Sequence, residues 1–563
     1  MNFQQPEQAP DCVIDVVVVG AGFGGIYALH KMRELGFAVQ GVEAGGGVGG
    51  TWYWNRYPGA RCDVRSVEYS YSFCPELNDD WVWTERYAAQ PEILAYLNHV
   101  VDRLDVRRLI KFDTVVVEAS FDTAVQRWRV TLSDGAQLVA KYCFMSTGPL
   151  SKIYIPDILG FESFRGKSYH TGSWPHDKVD FKRLRVGVVG TGSSGVQSIP
   201  IIAEQCSHLY VFQRTPNFTV PARNHPLSEM DRRSNKQNYQ EIKQRARNSF
   251  GGMDQAEPYP SALAAEPERR QEIYEEFWEK GGLEFLRAFE DLLTDAAANK
   301  TASDFVRSKI ARVVRDPNIA VKLTPTDHYI GSKRLCSGTN YYETFNRDNV
   351  TLIDIREDPI VEIVPDGIRT TTGMVALDAI VYATGYDALT GALSSVNINV
   401  DARKTLSDKW KEGPRSYLGL MVAGFPNLFI LSGPGSPSIL GNVVMVLEQQ
   451  IQWISELLSH TRSVGTPIIE AETAAEDAWV EAVRESATKT LRSKAKSWQI
   501  GANIPGKPAV FLPYAGGQNK YAQICKEIAE DGYRGFHLRS DETPYFNGLV
   551  TSSTSGKGGF HDA

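Results

Sequence analysis

Residues 13–43 read VIDVVVVGAGFGGIYALHKMRELGFAVQGVE. A β-branched apolar run, a glycine turn, a stretch of helical periodicity and a second apolar run follow one another. The segment therefore predicts strand, turn, helix and strand. Gly20, Gly22 and Gly25 form G-x-G-x-x-G at the first junction, with Phe23 and Gly24 inside the motif. Glycines at these positions permit a tight turn and let a pyrophosphate approach the helix N-terminus, where backbone N–H groups are free. The glycine spacing alone is a weak signal. Glu43 strengthens it: it stands 23 positions after Gly20, at the end of the second strand, where a carboxylate can accept both ribose hydroxyls of a dinucleotide.

The same unit recurs. LRVGVVGTGSSGVQSIPIIAEQ begins at Leu184 and HLYVFQR begins at His208, so Gly190, Thr191, Gly192, Ser193, Ser194 and Gly195 repeat the phosphate-binding turn. Here position 213, again 23 after the first glycine, is Gln213, followed by Arg214 and Thr215. An acidic group would repel a 2′-phosphate, whereas a guanidinium can grip it with a forked pair of hydrogen bonds, so the pattern favours NADPH over NADH at this second site.

Between these units and after them the text changes character. Residues 224–326 are rich in Glu, Arg, Lys, Gln and Ala at helical spacing and predict a helical insertion. YCFMSTGPL, ending at Leu150, and DAIVYATGYDAL, starting at Asp378, are apolar strands closed by Thr-Gly turns, where the chain passes from one lobe to the other. The expected division is 1–150 and 389–563 for the first nucleotide lobe, and 151–223 and 327–388 for the second. The fold class is α/β, with two Rossmann-like dinucleotide-binding domains. A strong amphipathic helix is expected from Asn442, and a mobile tail over the last residues, TSSTSGKGGFHDA.

Composition bounds the function. A chain of 563 residues exceeds one ordinary core. A net charge of −7 argues against general attraction to nucleic acid or to an anionic membrane. Seven scattered cysteines, without CxxC spacing, suit a reducing cytoplasm and supply neither a metal cluster nor a redox pair. The N-terminus lacks an export signal, and no apolar run is long enough to span a bilayer, so a soluble, cytoplasmic protein is expected.

GGVGGTWYWNRYPGARCDV, from Gly46 to Val64, packs glycines, aromatics, Arg and Asp into one segment. Its glycines could admit a flat ring and its aromatics could shield that ring, although Trp52, Trp54 and Tyr57 could equally be core residues. FRGKSYHTGSWP follows from Phe164. This segment resembles the Baeyer–Villiger monooxygenase fingerprint FxGxxxHxxxWP through Phe164, Gly166, His170, Trp174 and Pro175. The earlier segment resembles the same family's longer fingerprint through Gly50, Trp52, Tyr57-Pro58-Gly59 and Asp63.

The resemblance spans most of the chain and implies FAD at the first site, extended by Thr51, Trp52, Asp63, Tyr69 and Val116, and NADPH at the second. It implies that reduced flavin takes up O2 and that the resulting C4a-peroxyflavin attacks a ketone, giving an ester or lactone. GSKRLCSGTNYYETFNRDNV places Lys333 and Arg334 before an aromatic run expected to be strand-like. By the same resemblance Arg334 is the active-site arginine, Asp63 its carboxylate partner, and Lys333 a ligand of the NADP phosphate beside Arg214. Trp498 resembles a tryptophan on a mobile loop that covers NADP, and the small residues of SGPGSPSILGNVV, from Ser432, hint at room for a bulky ketone. His170 reads as a hinge histidine rather than a catalytic base. The expected partners are a small ketone and O2, in a monomer or weak homo-oligomer that holds no metal. An N- or S-oxygenating flavin enzyme is the alternative, against which Trp174 speaks.

Overall fold

The computed structural model describes residues 12–541, and the expected C-terminal tail lies outside them. Five parallel strands in the order Val350–Asp354, His208–Gln213, Arg185–Val189, Ala379–Tyr382 and Lys167–His170 form one sheet. A larger nine-stranded sheet is built around Cys12–Val19, which lies parallel to both Val39–Val42 and Gln137–Met145. Val16, Val17 and Val18 have no exposed surface, because helices or further layers cover both faces of a parallel sheet.

Chain segments far apart in sequence complete the large sheet. Gln137–Met145 is shared along one edge: its first half pairs antiparallel with Arg127–Leu132 and its last residues pair parallel with Leu428–Ile430. Asn397–Val400 adds to Val116–Asp122. Residues beyond 396 therefore return to the sheet that the first residues started. Val116 lies in this core with Val42, Ala119 and Ile398.

The stretch between the lobes is helical, with Glu229–Gln237, Tyr239–Asn248, Pro267–Lys280, Ala296–Val313 and Pro317–Leu323 as its main helices. Lys243 is fully buried and donates to the carbonyls of Glu68 and Ser70, on the segment that follows Asp63. Burial pushes its ammonium down to about 8. One local expectation is corrected. The aromatic run after Arg334 is not a strand beyond Cys336–Gly338: Asn340, at φ 57°, turns the chain into the one-turn helix Tyr341–Thr344. Tyr341 and Phe345, four apart, then fall on one face with ring centroids 5.3 Å apart.

Candidate active site

Both glycine turns have the geometry of an anion cradle. Gly20 has φ 102°, and a Cβ there would stand 2.4 Å from the Ser146 carbonyl oxygen; a Cβ on Gly25 would stand 1.8 Å from that of Gly20. Only glycine fits such an approach. Phe23–Glu34 then starts at Gly22 with no side-chain cap and no acidic residue in its first turn, so its first N–H groups are free of protein side-chain acceptors. The second turn repeats this. Gly190 has φ 109° and would clash with Ala383 O at 2.5 Å, Gly195 with Gly190 O at 2.3 Å, and Ser193–Gln205 starts uncapped at Gly192.

Glu43 is 5% exposed and accepts from the N–H groups of Ala21 (2.7 Å) and Gly45 (2.8 Å). Burial raises its carboxyl pKa, and these N–H groups oppose the rise. Two carboxylate oxygens offer about four acceptor sites, so room for two hydroxyl donors remains. The residues thus fit the adenosine end of a dinucleotide. Around the ring-sized space expected next, Gly50 (φ 52°) packs on Gly22 and starts Thr51–Trp54. Trp52 donates through Nε1 to the Tyr69 hydroxyl at 3.2 Å, and Tyr69 meets Phe23 edge-on.

At the second turn, Thr191 Oγ1 donates to the Thr215 carbonyl at 3.0 Å. Gln213 is wholly buried and its Nε2 donates to Lys322 O at 2.8 Å, whereas Arg214 is exposed. Of the strand-end pair, the guanidinium is the accessible group. Burial lowers the Lys333 pKa, the Asp327 carboxylate opposes that, and Arg214, close enough for its charge to be felt, adds to the lowering. Arg214 and Lys333 bring two cations together at this turn, with the Asp327 carboxylate offsetting part of their charge, and the pair favours an anion.

The two lobes meet on a charged pair. Arg334 Nε and Nη2 donate to the two oxygens of Asp63 at 2.9 and 2.7 Å, a forked arrangement, and Nη1 reaches Ile439 O at 3.3 Å. Burial disfavours the Arg334 charge, yet the field and hydrogen bonds of Asp63 outweigh it and raise the pKa. A guanidinium has five N–H donors; three are used, which leaves two.

The fingerprint segments knit this junction rather than line it. Tyr57 donates to Gln197 Oε1 at 2.8 Å, and Asn55 Nδ2 donates to the Tyr386 hydroxyl at 2.7 Å. Trp174 is buried, its ring stacks on Tyr169, and its backbone N–H donates to Trp54 O at 3.1 Å, joining one fingerprint to the other. Gly166 lets the chain pass Asp378 O, which a Cβ would approach to 2.4 Å. Phe164 packs against the small core of the second sheet, and Pro175 is half-buried beside Trp174. His170 Nδ1 accepts from Gly172 N–H at 3.0 Å, so Nε2 carries the proton and faces Tyr154 O at 3.3 Å and Thr384 Oγ1 at 3.2 Å. Burial pushes this imidazole down to about 4 and keeps it neutral. It ties together three passages of chain within the second lobe, at Tyr154, at 170–172 and at Thr384.

The far segment packs against the Arg334 side of the junction. At two glycines of 432–442 backbone packs closely on backbone: a Cβ on Gly433 would meet Gly419 O at 2.5 Å, and one on Gly441 would meet Gly251 O at 2.1 Å. Pro437, Leu440 and Gly441 line a small cavity with Phe250, Tyr514, Gly517 and Gln518. Trp498 is half-buried against Leu389, Ile439 and Leu512, so it sits beside the residue whose carbonyl takes Arg334 Nη1. Sequence reasoning missed Arg492, which is 9% exposed on the turn Leu491–Lys494 next to Arg334. Its setting in LRSK reads as solvated charge, and no periodicity marks it as buried.

Fold and site together define a two-dinucleotide oxidoreductase. A profile of the pyridine nucleotide-disulphide oxidoreductase family matches residues 14–256. Its disulfide chemistry has no counterpart here: the six described cysteines whose side chains are placed are unpaired, and burial raises the thiols of Cys62 and Cys336. A Baeyer–Villiger monooxygenase of Pseudooceanicola batsensis is 43% identical over 526 residues, covering 92% of this chain and 95% of its own. A phenazine N-monooxygenase of Lysobacter antibioticus is also 43% identical, covering 94% and 97%. The solved structure of an oxidized steroid monooxygenase bound to NADP superposes with a TM-score of 0.90 at 49% identity, over 94% of this chain and 100% of that one. The chain belongs to the Baeyer–Villiger monooxygenase family of flavin-dependent enzymes. No helix among the described residues is long and apolar enough to cross a membrane.

Proposed function

We propose that the chain binds FAD at the first glycine turn and NADPH at the second, and inserts one oxygen atom beside a ketone carbonyl. The balance is ketone, O2, NADPH and a proton giving ester or lactone, NADP+ and water. Bound flavin supplies the electron transfer and oxygen activation that no side chain can provide. Arg334 carries the reading. Its two uncommitted donors can hold negative charge as it develops on the former carbonyl oxygen, and its pKa, held above the ordinary arginine value by Asp63, prevents it from quenching an oxygen nucleophile by protonation.

Asp63 orients that guanidinium and leaves its free edge toward the junction of the lobes. Lys333 and Arg214 hold the 2′-phosphate, and Trp52, Tyr69 and Phe23 exclude water around the flavin ring. The unpaired cysteines among the described residues suit a reducing, cytoplasmic setting, and we take the enzyme to act as a monomer or weak homo-oligomer.

The test is stoichiometry: NADPH and O2 consumed with a cyclic ketone, against ester formed. One ester per NADPH supports the reading. NADPH oxidation that yields only peroxide across a panel of cyclic, linear and aromatic ketones would overturn it. The N-oxygenating relative makes a nitrogen heteroaromatic the necessary second substrate in the panel.

A further inference from the structure

Arg492 is a buried cation without a counter-charge. It is 9% exposed, and among the described residues its guanidinium has no ion pair and no hydrogen bond to a protein acceptor. Its neighbouring charge is Arg334, of the same sign, whose carboxylate partner among the described residues is Asp63. Burial and Arg334 together push Arg492 down to about 10, which still leaves it charged at neutral pH. An uncompensated charge of this kind is costly, and such groups persist in folded proteins when an anion completes them.

The same segment has a second deficit. Gln499 is wholly buried, and neither its Nε2 nor its Oε1 has a partner; Asn503 Oδ1, four residues on, is likewise buried and unpartnered. Trp498, between Arg492 and Gln499 in sequence, packs against the cluster that contains Ile439, the residue that accepts from Arg334 Nη1. The turn carrying Arg492 is therefore joined to the Arg334 edge, and its unmet hydrogen bonds match a polar guest rather than an apolar one. The anions of the two dinucleotides have donors elsewhere in the proposed arrangement: the uncapped helix starts at Phe23 and Ser193, and the Arg214–Lys333 pair.

We infer that Arg492 is a specificity determinant that anchors an anionic group of the substrate, so that the preferred ketone carries a carboxylate a few bonds from its carbonyl. The ketone part of this inference rests on the oxygenation reading above; the anion part does not. Arg334 takes the developing charge at the carbonyl and Arg492 takes the permanent one. Gln499 supplies further hydrogen bonds to the same guest.

The experiment compares a cyclic ketone bearing a carboxymethyl group with its primary amide, using the flavin-loaded full-length enzyme. Turnover is read as kcat/KM, and binding without NADPH is read by calorimetry. The acid is expected to exceed the amide by about tenfold or more in both readouts, with the ratio falling to about one in Arg492→Met and partly restored in Arg492→Lys. Arg484→Met, a loss of an exposed arginine on the preceding helix, is expected to leave the ratio unchanged. An acid-to-amide ratio near one in the unaltered enzyme overturns the inference, as does a ratio that Arg492→Met does not shift. Loss of NADP+ affinity in Arg492→Met without loss of acid preference also overturns it, by assigning the cation to the cofactor. Arg492-dependent binding of the acid with no ester from any ketone keeps the anion site and removes the oxygenation reading instead.

Discussion

At the scale of single residues, the proposed chemistry rests on one side chain, Arg334, forked on Asp63. Arg334→Ala is expected to leave flavin bound and reducible by NADPH while ester formation falls by about a hundredfold or more, the usual cost of deleting an oxyanion donor. Stopped-flow reduction and product analysis separate the two steps, and normal ester yield would remove Arg334 from the reaction. Arg214 is a separate matter. Its replacement by alanine is expected to raise the KM for NADPH by about tenfold or more while that for NADH barely moves, because only the former carries the 2′-phosphate. Equal changes for both would withdraw the phosphate assignment.

At the scale of elements, the ends of Lys167–His170 and Ala379–Tyr382 are pinned through one neutral imidazole. His170 has a folded pKa of about 4 against an ordinary 6.5. In the window between these values the unfolded chain binds the extra proton, so stability is complete above pH 6.5 and declines as pH falls toward 4. The loss amounts to about 3 kcal/mol at the lower limit, from 1.36 kcal/mol per unit. His170→Gln, which keeps a donor and an acceptor, is expected to flatten that component. Unfolding midpoints for both proteins from pH 4 to 7 test it, and parallel curves would show that the histidine is not the titrating group. The aromatic one-turn helix after Arg334 belongs to the same scale: an aromatic run favours a strand, but Asn340 in the left-handed region redirected it.

At the scale of the whole molecule, two lobes have to face each other at a fixed angle, and Gly59 is a point where they touch. It has φ 84°, and a Cβ would stand 2.3 Å from Gln197 O on the second nucleotide helix. Gly59→Ala is expected to cost about 1–3 kcal/mol in stability through backbone strain and to raise the share of NADPH oxidised to peroxide rather than ester. Denaturant midpoints together with a peroxide assay check both; an unaltered coupling ratio would mean that the contact does not set the geometry of the site.

Repetition of strand, glycine turn and helix made the two nucleotide folds readable from sequence, because a turn that excludes any Cβ leaves a mark in residue identity at Gly20, Gly25, Gly190 and Gly195. The family fingerprints were readable for the same reason: Gly50, Gly59 and Gly166 sit where backbone meets backbone. What sequence could not supply was adjacency across distance. That Asp63 reaches over 271 positions to Arg334, that 396–431 rejoins the sheet begun at Cys12, and that an arginine in a charged run is buried beside another arginine, all depend on packing of remote segments. Local patterns record what neighbours along the chain require. Burial and charge pairing are decided by neighbours in space, and only the tertiary structure assembles those.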